Sequence, residues 1–480
     1  MDDIPPSLLL EILSRLHDSA DVARCRVSSR TLNSIAPELR SVHLHCSYGR
    51  YSASRSPLTR SSVTPFKDVF NKLISELQIV ETVSIGVDKT LREVAYDDLE
   101  DEDDDLFLSD VNFVGTWLPR VRGDLKSIAI SNFWLQSCWR RSDVLPFGFK
   151  FQCNSENGLL YATVLIYPGI YDDSQKVANF EFYSRELLEL DIKNAWLSVD
   201  GLTTMPKLTT LTLEFIRLDD ENLEKLNECF PCLQNLNLIG VGGLKDPQIN
   251  LMHLRTCKWI LSNAPTTVSI VASCLVKLTL SCVKPKLLLI DSPSLSDLSL
   301  SFEGACNLKV KEFSQLNKLH LESACLRNVL ALLPFGRAVK NLTAVSTKWE
   351  APVGVSKSIL ELLFCTFPNM TSLTLTSRVW SELEMCPGLG GLEMRARAKG
   401  LKEIKAYLTV NDIEVTLSTI FSLLDNCSGL SNMTLFVHRD VVSNVTSSLI
   451  LRCMAHCVRV RWNWGMWREG TEDVWISNGI

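Results

Sequence analysis

Leu275-Val276-Lys277-Leu278-Thr279-Leu280, Leu295-Ser296-Asp297-Leu298-Ser299-Leu300 and Leu316-Asn317-Lys318-Leu319-His320-Leu321 are three copies of one pattern, L-x-x-L-x-L. The pattern recurs at Leu187-Leu190-Ile192, Leu208-Leu211-Leu213, Leu233-Leu236-Leu238 and Met370-Leu373-Leu375. Looser copies stand at Leu254-Cys257-Trp259, Val339-Leu342-Ala344, Leu389-Leu392-Met394 and Leu430-Met433-Leu435. From Leu190 to Leu342 the central residues are 21, 25, 21, 21, 20, 21 and 23 apart. Apolar residues two apart share one face of a strand. A strand that returns at a near-fixed interval cannot bury that face alone, so neighbours stack and build one continuous core. The fold expected is α/β, a solenoid of horseshoe form with parallel strands in single file, one per repeat.

Upstream, the pattern is present at Leu39-Val42-Leu44, Val80-Val83-Ile85 and Leu125-Ile128-Ile130. Between the first two copies, Phe66, Val69, Phe70, Leu73 and Leu77 recur at helical spacing, which predicts a helix on the convex side. Repeats of 20–21 residues leave room for a strand and a short turn or helical bend, so long helices are expected near the start and thin repeats in the middle. The period lies in the ~20–29 residue range of leucine-rich repeats. That pattern usually continues x-x-N/C-x-L, but the N/C position here holds Ile216, Val241, Val283, Glu303, Ala324 and Arg378.

Ahead of the repeats, residues 5–16 read as a helix. Pro5 and Pro6 suit its first turn, where an amide hydrogen has no partner in any case. At ~100° per residue, Leu8, Leu9, Ile12, Leu13 and Leu16 fall on one stripe, and Leu10 widens it. Further short helices fit residues 21–26 and 28–36. Forty residues cannot enclose so broad a stripe. It caps the following repeats or meets another protein, and periodicity leaves both open.

The run Ile4-Pro5-Pro6-Ser7-Leu8-Leu9-Leu10-Glu11-Ile12-Leu13-Ser14-Arg15-Leu16, followed by Asp21-Val22 and Arg24-Cys25-Arg26-Val27-Ser28, resembles an F-box. That family often carries a Trp three residues after the Ser; here the position is Thr31. With the repeats, the chain resembles the F-box/leucine-rich-repeat proteins common in plants. The resemblance implies docking to the small adaptor of a cullin-based SCF ubiquitin ligase through Pro5, Leu8, Leu9, Ile12, Leu13, Leu16 and Val27. It implies a protein target on the repeats and a cytoplasmic or nuclear location. The expected organisation is an F-box over residues 1–38, a solenoid over 39–440 and a Trp-rich cap over 441–480. The cap reading rests on Val458, Val460, Trp462 and Trp464 alternating with polar residues, with Trp467 and Trp475 beyond; a ligand pocket is the alternative.

Composition narrows the function classes. The chain has 480 residues, with 49 basic and 55 acidic side chains and a net charge of −6. Eight of the nine residues from Asp97 to Asp105 are acidic, and the remaining sequence carries +2. A body so near neutral is not a duplex nucleic-acid binder. The acidic run reads as a disordered insertion near residues 93–110. The start, Met1-Asp2-Asp3-Ile4, is acidic where a secretory signal would be basic. No run of ~18 apolar residues proposes a spanning helix. The sixteen cysteines are scattered. Cys229-x-x-Cys232 and the pair Cys453 and Cys457 around His456 each lack the second half of a zinc site, so free thiols in a reducing compartment are expected and no metal or cofactor.

The residues between the inward leucines form a polar surface: Glu189, Asp191, Thr210, Thr212, Glu214, Asn235 and Asn237, then Lys277, Thr279, Ser281, Asp297, Ser299, Ser301, Lys318, His320 and Glu322, then Ser372 and Thr374. It suits hydrogen bonding to a polypeptide and assembles no acid–base pair beside a nucleophile. Phosphate-loop, zinc-protease, nucleophile-elbow and dinucleotide motifs are absent from the sequence, so no catalytic residue is assigned and an enzyme is not expected. Leu392, Met394, Ala396 and Ala398 read as an inward set, which would put Arg395, Arg397 and Lys399 on one outer face. That face would hold an acidic or phosphorylated target, or be ordinary solvated surface. The reading is a substrate-recruiting ligase subunit. Its rivals are a repeat scaffold without ligase role and a small-molecule or inositol-phosphate co-receptor.

Overall fold

A computed structural model describes residues 4–54, 63–88, 90–91, 105–106, 108, 111–121, 123–131, 133, 147–154, 159–166, 181–182, 187–193, 196–198, 204–216, 218–261, 264–283, 285–302, 307–310, 313–333, 336–348, 358–385 and 398–476. Of these, 111–112, 147–154, 159–166, 181–182, 196–198, 307–310 and 332 are described in backbone only. The chain divides into two compact units, Met1–Leu254 with Ile260–Asn263, and Arg255–Trp259 with Ala264–Ile480.

The first unit opens with three helices, α1 (Pro6–Ser14), α2 (Ser19–Ser28) and α3 (Arg30–Ile35). Asp18 caps α2 by accepting from Ala20 N at 2.8 Å, and Ser29 caps α3 by accepting from Leu32 N at 3.3 Å. Each side chain satisfies an amide that helix geometry leaves without a partner. A one-turn 3-10 helix, Ala36–Glu38, then leads straight into the first strand.

Six strands of this unit lie side by side in chain order: Ser41–Cys46, Thr82–Val87, Ser127–Ser131, Glu189–Lys193, Thr210–Glu214 and Asn235–Val241. All pairs are parallel, and the register runs Val42, Val83, Ile128, Leu190, Leu211, Leu236. These are the middle residues of the sequence pattern, and all six are buried. Each buried Leu or Ile stabilises by about 1.5–3 kcal/mol relative to exposure. The wide early spacings hold helices. Phe66–Glu76 buries Phe66, Phe70 and Ile74, and Val111–Val121 sets Phe113 and Trp117 against Phe70, at ring distances of 5.6 and 5.4 Å. On either side of the strand Glu189–Lys193, from Phe147 to Ser198, the chain makes a separate sheet. Phe147–Asn154 and Leu159–Ile166 pair antiparallel there, flanked by Glu181–Phe182 and Trp196–Ser198. Nothing in the repeat pattern anticipates this excursion.

The second unit continues the logic. Lys277–Cys282, Asp297–Phe302, Lys318–Ser323, Asn341–Ser346, Ser372–Leu375, Glu403–Leu408, Asn432–His438 and Arg461–Trp467 are parallel neighbours in chain order. Its thin repeats carry a second short strand rather than a helical bend: Thr267–Val271, Leu287–Asp291 and Asn307–Val310 form their own parallel sheet. Helices of 11 residues, Phe66–Glu76 and Val111–Val121, stand among the early repeats, and among the described residues the longest, Ile413–Asn426 and Ser443–His456 with 14 residues each, come late in the sequence. They fit because the late register steps, Leu373 to Ile404 to Met433 to Trp462, are 31, 29 and 29 residues. At the Asn/Cys position, Ile216, Val241 and Ala324 are buried, so apolar packing stands where a polar ladder would.

One repeat is not where the pattern placed it. The neighbour of Ser372–Leu375 is Glu403–Leu408, whose inward residues are Ile404 and Ala406 with Leu401 ahead of them. A sheet strand at 392–399 does not occupy that place. Lys399 lies instead in a one-turn 3-10 helix, Ala398–Gly400, and is exposed. Arg395 and Arg397 lie outside the described residues.

The acidic run also differs from an insertion reaching residue 110. Asp105 accepts from the amides of Phe66 and Lys67, the latter at 2.8 Å. Leu106 and Leu108 are buried. The helix Phe66–Glu76 starts at Pro65, which offers no side-chain cap, and Asp105 supplies the missing carboxylate. Residues 92–104 lie outside the described residues.

Candidate functional site

In α1, Leu9 and Leu13 point inward, each 2% exposed, and join Leu32, Ile35, Ala36 and Leu39 in a small core. Leu10 and Leu16 are half-buried against it. Leu8 and Ile12 sit one residue earlier, about 100° round the helix, and are 47% and 48% exposed. Pro5 is exposed at the head of the same helix, and Val27, near the end of α2, is 91% exposed. The broad stripe is therefore two stripes. One closes the module, and the other leaves Leu8 and Ile12 half exposed to solvent below Pro5. The ion pairs on these helices, Arg15 with Glu11 at 2.5 Å and Arg24 with Asp21, are surface pairs that contribute little.

This module is joined firmly to the first repeat. Ser19 Oγ accepts from His43 N at 2.9 Å. Gln78 N donates to Pro37 O at 3.0 Å. Arg26 of α2 pairs with Glu76 and also donates to Asn33 at 3.1 Å. Leu77 packs on the helical core.

On the solvent face of the sheet the register sets polar side chains of neighbouring strands beside one another. Asn235 donates to Thr210 at 3.2 Å and Asn237 to Thr212 at 3.0 Å. Lys193 bridges Glu214 at 3.0 Å and Asp191 at 3.7 Å. In the second unit Lys277, Asp297 and Lys318 stand in one row. Burial pushes the His320 imidazole below the ordinary histidine value despite Glu322 and Asp297, so it is neutral at pH 7. The described residues of this face make hydrogen bonds between neighbouring strands, and among them no poised acid–base pair is found.

Further along, the face becomes aromatic, a change the misplaced repeat hid. Tyr407 and Phe436 stack with ring centroids 5.2 Å apart, and Trp467 meets Tyr407 edge-on at 5.6 Å. Tyr407 donates to Asp473 at 2.9 Å, and Lys405 pairs with Asp473 at 3.4 Å. Burial raises the Tyr407 hydroxyl above its ordinary value, so it stays a donor. Beside this cluster a cleft of about 770 Å³ is lined by Arg378, Met385, Val415, His438 and Trp467. Glu384 at its edge is engaged by Trp380 Nε1 at 2.8 Å and Thr416 Oγ1 at 2.6 Å. Of the cap tryptophans, Trp462, Trp464 and Trp467 are buried, and Trp475 is 61% exposed.

Among the described residues, no group of three or more His, Cys, Asp or Glu is placed to hold a metal ion. Cys229 is buried while Cys232 is exposed, so the C-x-x-C pair does not present two thiols together. Burial pushes the thiols of Cys427 and Cys453 up to about 12, which makes them poor nucleophiles. Among the described residues no helix is long and apolar enough to cross a membrane.

A sequence model of the F-box-like family matches residues 1–41, the three helices and the start of the first strand. An F-box/LRR-repeat protein of Arabidopsis thaliana is 44% identical over 481 aligned residues, which cover 99% of this chain and 100% of that protein. With an F-box-like module fused to parallel leucine-repeat strands and a full-length relative of the same build, the chain belongs to the plant-type F-box/LRR-repeat proteins.

Proposed function

We propose that this protein is the substrate-recruiting subunit of an SCF-type cullin ubiquitin ligase. The F-box docks the adaptor, the adaptor links it to the cullin, and the solvent face of the repeats holds a target protein. The protein performs no bond chemistry; it raises the concentration of bound target near the ubiquitin-conjugating enzyme. The work so described belongs in the cytoplasm or nucleus.

The observation that carries this reading is the division of labour in α1. Leu9 and Leu13 already fill the core, and Leu8 and Ile12 stand outside it with about half their surface open to solvent. Exposed apolar side chains one turn apart on a helix headed by Pro5 mark an interaction surface. The test is adaptor capture by the full chain. Ile12→Asp, half exposed, leaves the fold intact and puts a charge in a desolvated contact, so capture drops at least tenfold. Leu13→Ala, in the core, destabilises the helices by about 2–5 kcal/mol, visible as lost amide protection over α1–α3. Undiminished capture by a folded Ile12→Asp chain refutes the docking face.

A further inference from the structure

Tyr407 and Phe436 are register partners, and the next residue of their row is Gly465. A Cβ at Gly465 would lie 2.4 Å from Phe436 Cε1 and 3.0 Å from Val474 O. The missing side chain opens a slot beside the aromatic pair, and the chain's own end folds into it. Val474 and Trp475 pair antiparallel with Met466 and Gly465, and Ile476 N donates to Trp464 O at 3.0 Å. The Trp475 ring lies 5.0 Å from Phe436. Asp473 takes the Tyr407 hydroxyl and the Lys405 ammonium, which also sits 4.9 and 4.6 Å over the Tyr407 and Phe436 rings.

A peptide-binding sheet edge works by main-chain pairing plus pockets for alternate side chains. Here all three elements are present: an edge strand, a cation and phenol for a carboxylate, and a ring platform for an aromatic side chain. All three are filled by Asp473-Val474-Trp475. The platform is held by contacts other than the tail's: Tyr407 stacks on Phe436 and meets Trp467 edge-on, and Trp467 Nε1 donates to Leu408 O at 3.1 Å. The occupant is not embedded: Val474 and Trp475 are 51% and 61% exposed, and their strand has two residues. Segments with few buried contacts open at low cost.

We infer that this edge is the target-recognition site, and that Asp473-Val474-Trp475 is a built-in stand-in for an extended target segment carrying a carboxylate two residues before an aromatic side chain. This rests on the target-recruiting reading above. Tethering gives the stand-in an effective concentration on the order of millimolar, so a target segment that lacks either anchor does not displace it.

The probe is a synthetic, fluorescently labelled peptide of residues 468–476 added to the full-length chain, read by anisotropy. The double variant Asp473→Asn, Trp475→Ala vacates the edge and binds the peptide at least tenfold more tightly than the parent. Adding Lys405→Ser to that variant, or replacing the peptide's Asp by Asn, removes at least tenfold of the gain. Circular dichroism melts establish folding; should the double variant melt early, Asp473→Asn alone serves and shows a smaller gain of the same sign. Equal affinity of a folded variant and the parent overturns the inference and leaves the tail as a cap on the last strand. Adaptor capture, measured on the same samples, separates the two readings. Intact capture with no peptide gain rejects the stand-in alone, and loss of capture by the parent rejects the ligase role.

Discussion

Asp105→Ala takes away the carboxylate that faces the amides of Phe66 and Lys67. These are two of the four donors at the start of a helix that have no intrahelical partner. Pro65 offers no side chain in their place. Losing an N-cap oxygen costs about 0.5–2 kcal/mol, typically ~1. The bonds here are charge-assisted, which places the loss toward the upper end. Partial exposure lets water recover some of it, so about 1–2 kcal/mol is expected, a factor of roughly 5–30 in the open population of the helix. Amide hydrogen exchange read by mass spectrometry resolves this locally, where a global melt of a repeat protein would not. Peptides covering 66–76 exchange faster by that factor, and those covering 413–426 are unchanged. Asp105→Asn keeps one oxygen acceptor and shows a smaller effect. Because Phe70 packs on Phe113 and Trp117, the same variant shifts Trp117 emission. Unaltered exchange over 66–76 in the Ala variant refutes the long-range cap.

Two further outcomes follow from single contacts. Gly465→Ala drives a Cβ into the Phe436 ring; overpacking of this kind costs about 1–3 kcal/mol, and Trp475 emission shifts as the tail lifts, whereas unchanged emission and melting would contradict the close approach. Burial holds the imidazoles of His43 and His320 below the ordinary histidine value, with His45 and His17 adding to the effect at His43. The unfolded chain then binds more protons, so stability is present above about pH 6.5 and lost as pH falls through it. Melting temperature drops between about pH 7.5 and 5.5, and His43→Gln together with His320→Gln flattens that slope; an unchanged slope would show that other groups set it.

The repeats were legible because period-two leucines and a steady interval are enforced by stacking, and both survive substitution of Leu by Val or Met. The repeat at Leu401-Ile404-Ala406 was missed because Leu389-Leu392-Met394 spells the pattern better. Yet Leu392 follows Leu373 by only 19 residues, too few once the helix Ser377–Met385 has taken its share. In α1 the split between inward and outward apolar residues was invisible, since Leu8, Leu9, Ile12 and Leu13 are chemically alike and only the position of Leu32 and Ile35 tells them apart. The aromatic edge was hidden by the same misplaced repeat. The tail's return depends on a two-residue antiparallel strand, too short for any periodicity to register.

The contacts Ser19–His43, Gln78–Pro37 and Arg26–Glu76, with Leu77 on the helical core, leave no hinge between the first three helices and the first strands. The two are one folding unit in practice. Deleting residues 1–36 would strip the cover from Leu39 and Leu77 and break Glu76 from its partner, so a truncated chain would report misfolding as readily as lost docking. A graft onto another repeat array would need Pro37, His43, Glu76 and Leu77 to travel with the helices. Variation at the docking surface and variation in the opening repeat are therefore not independent, and a substitution in one is a constraint on what the other can accept.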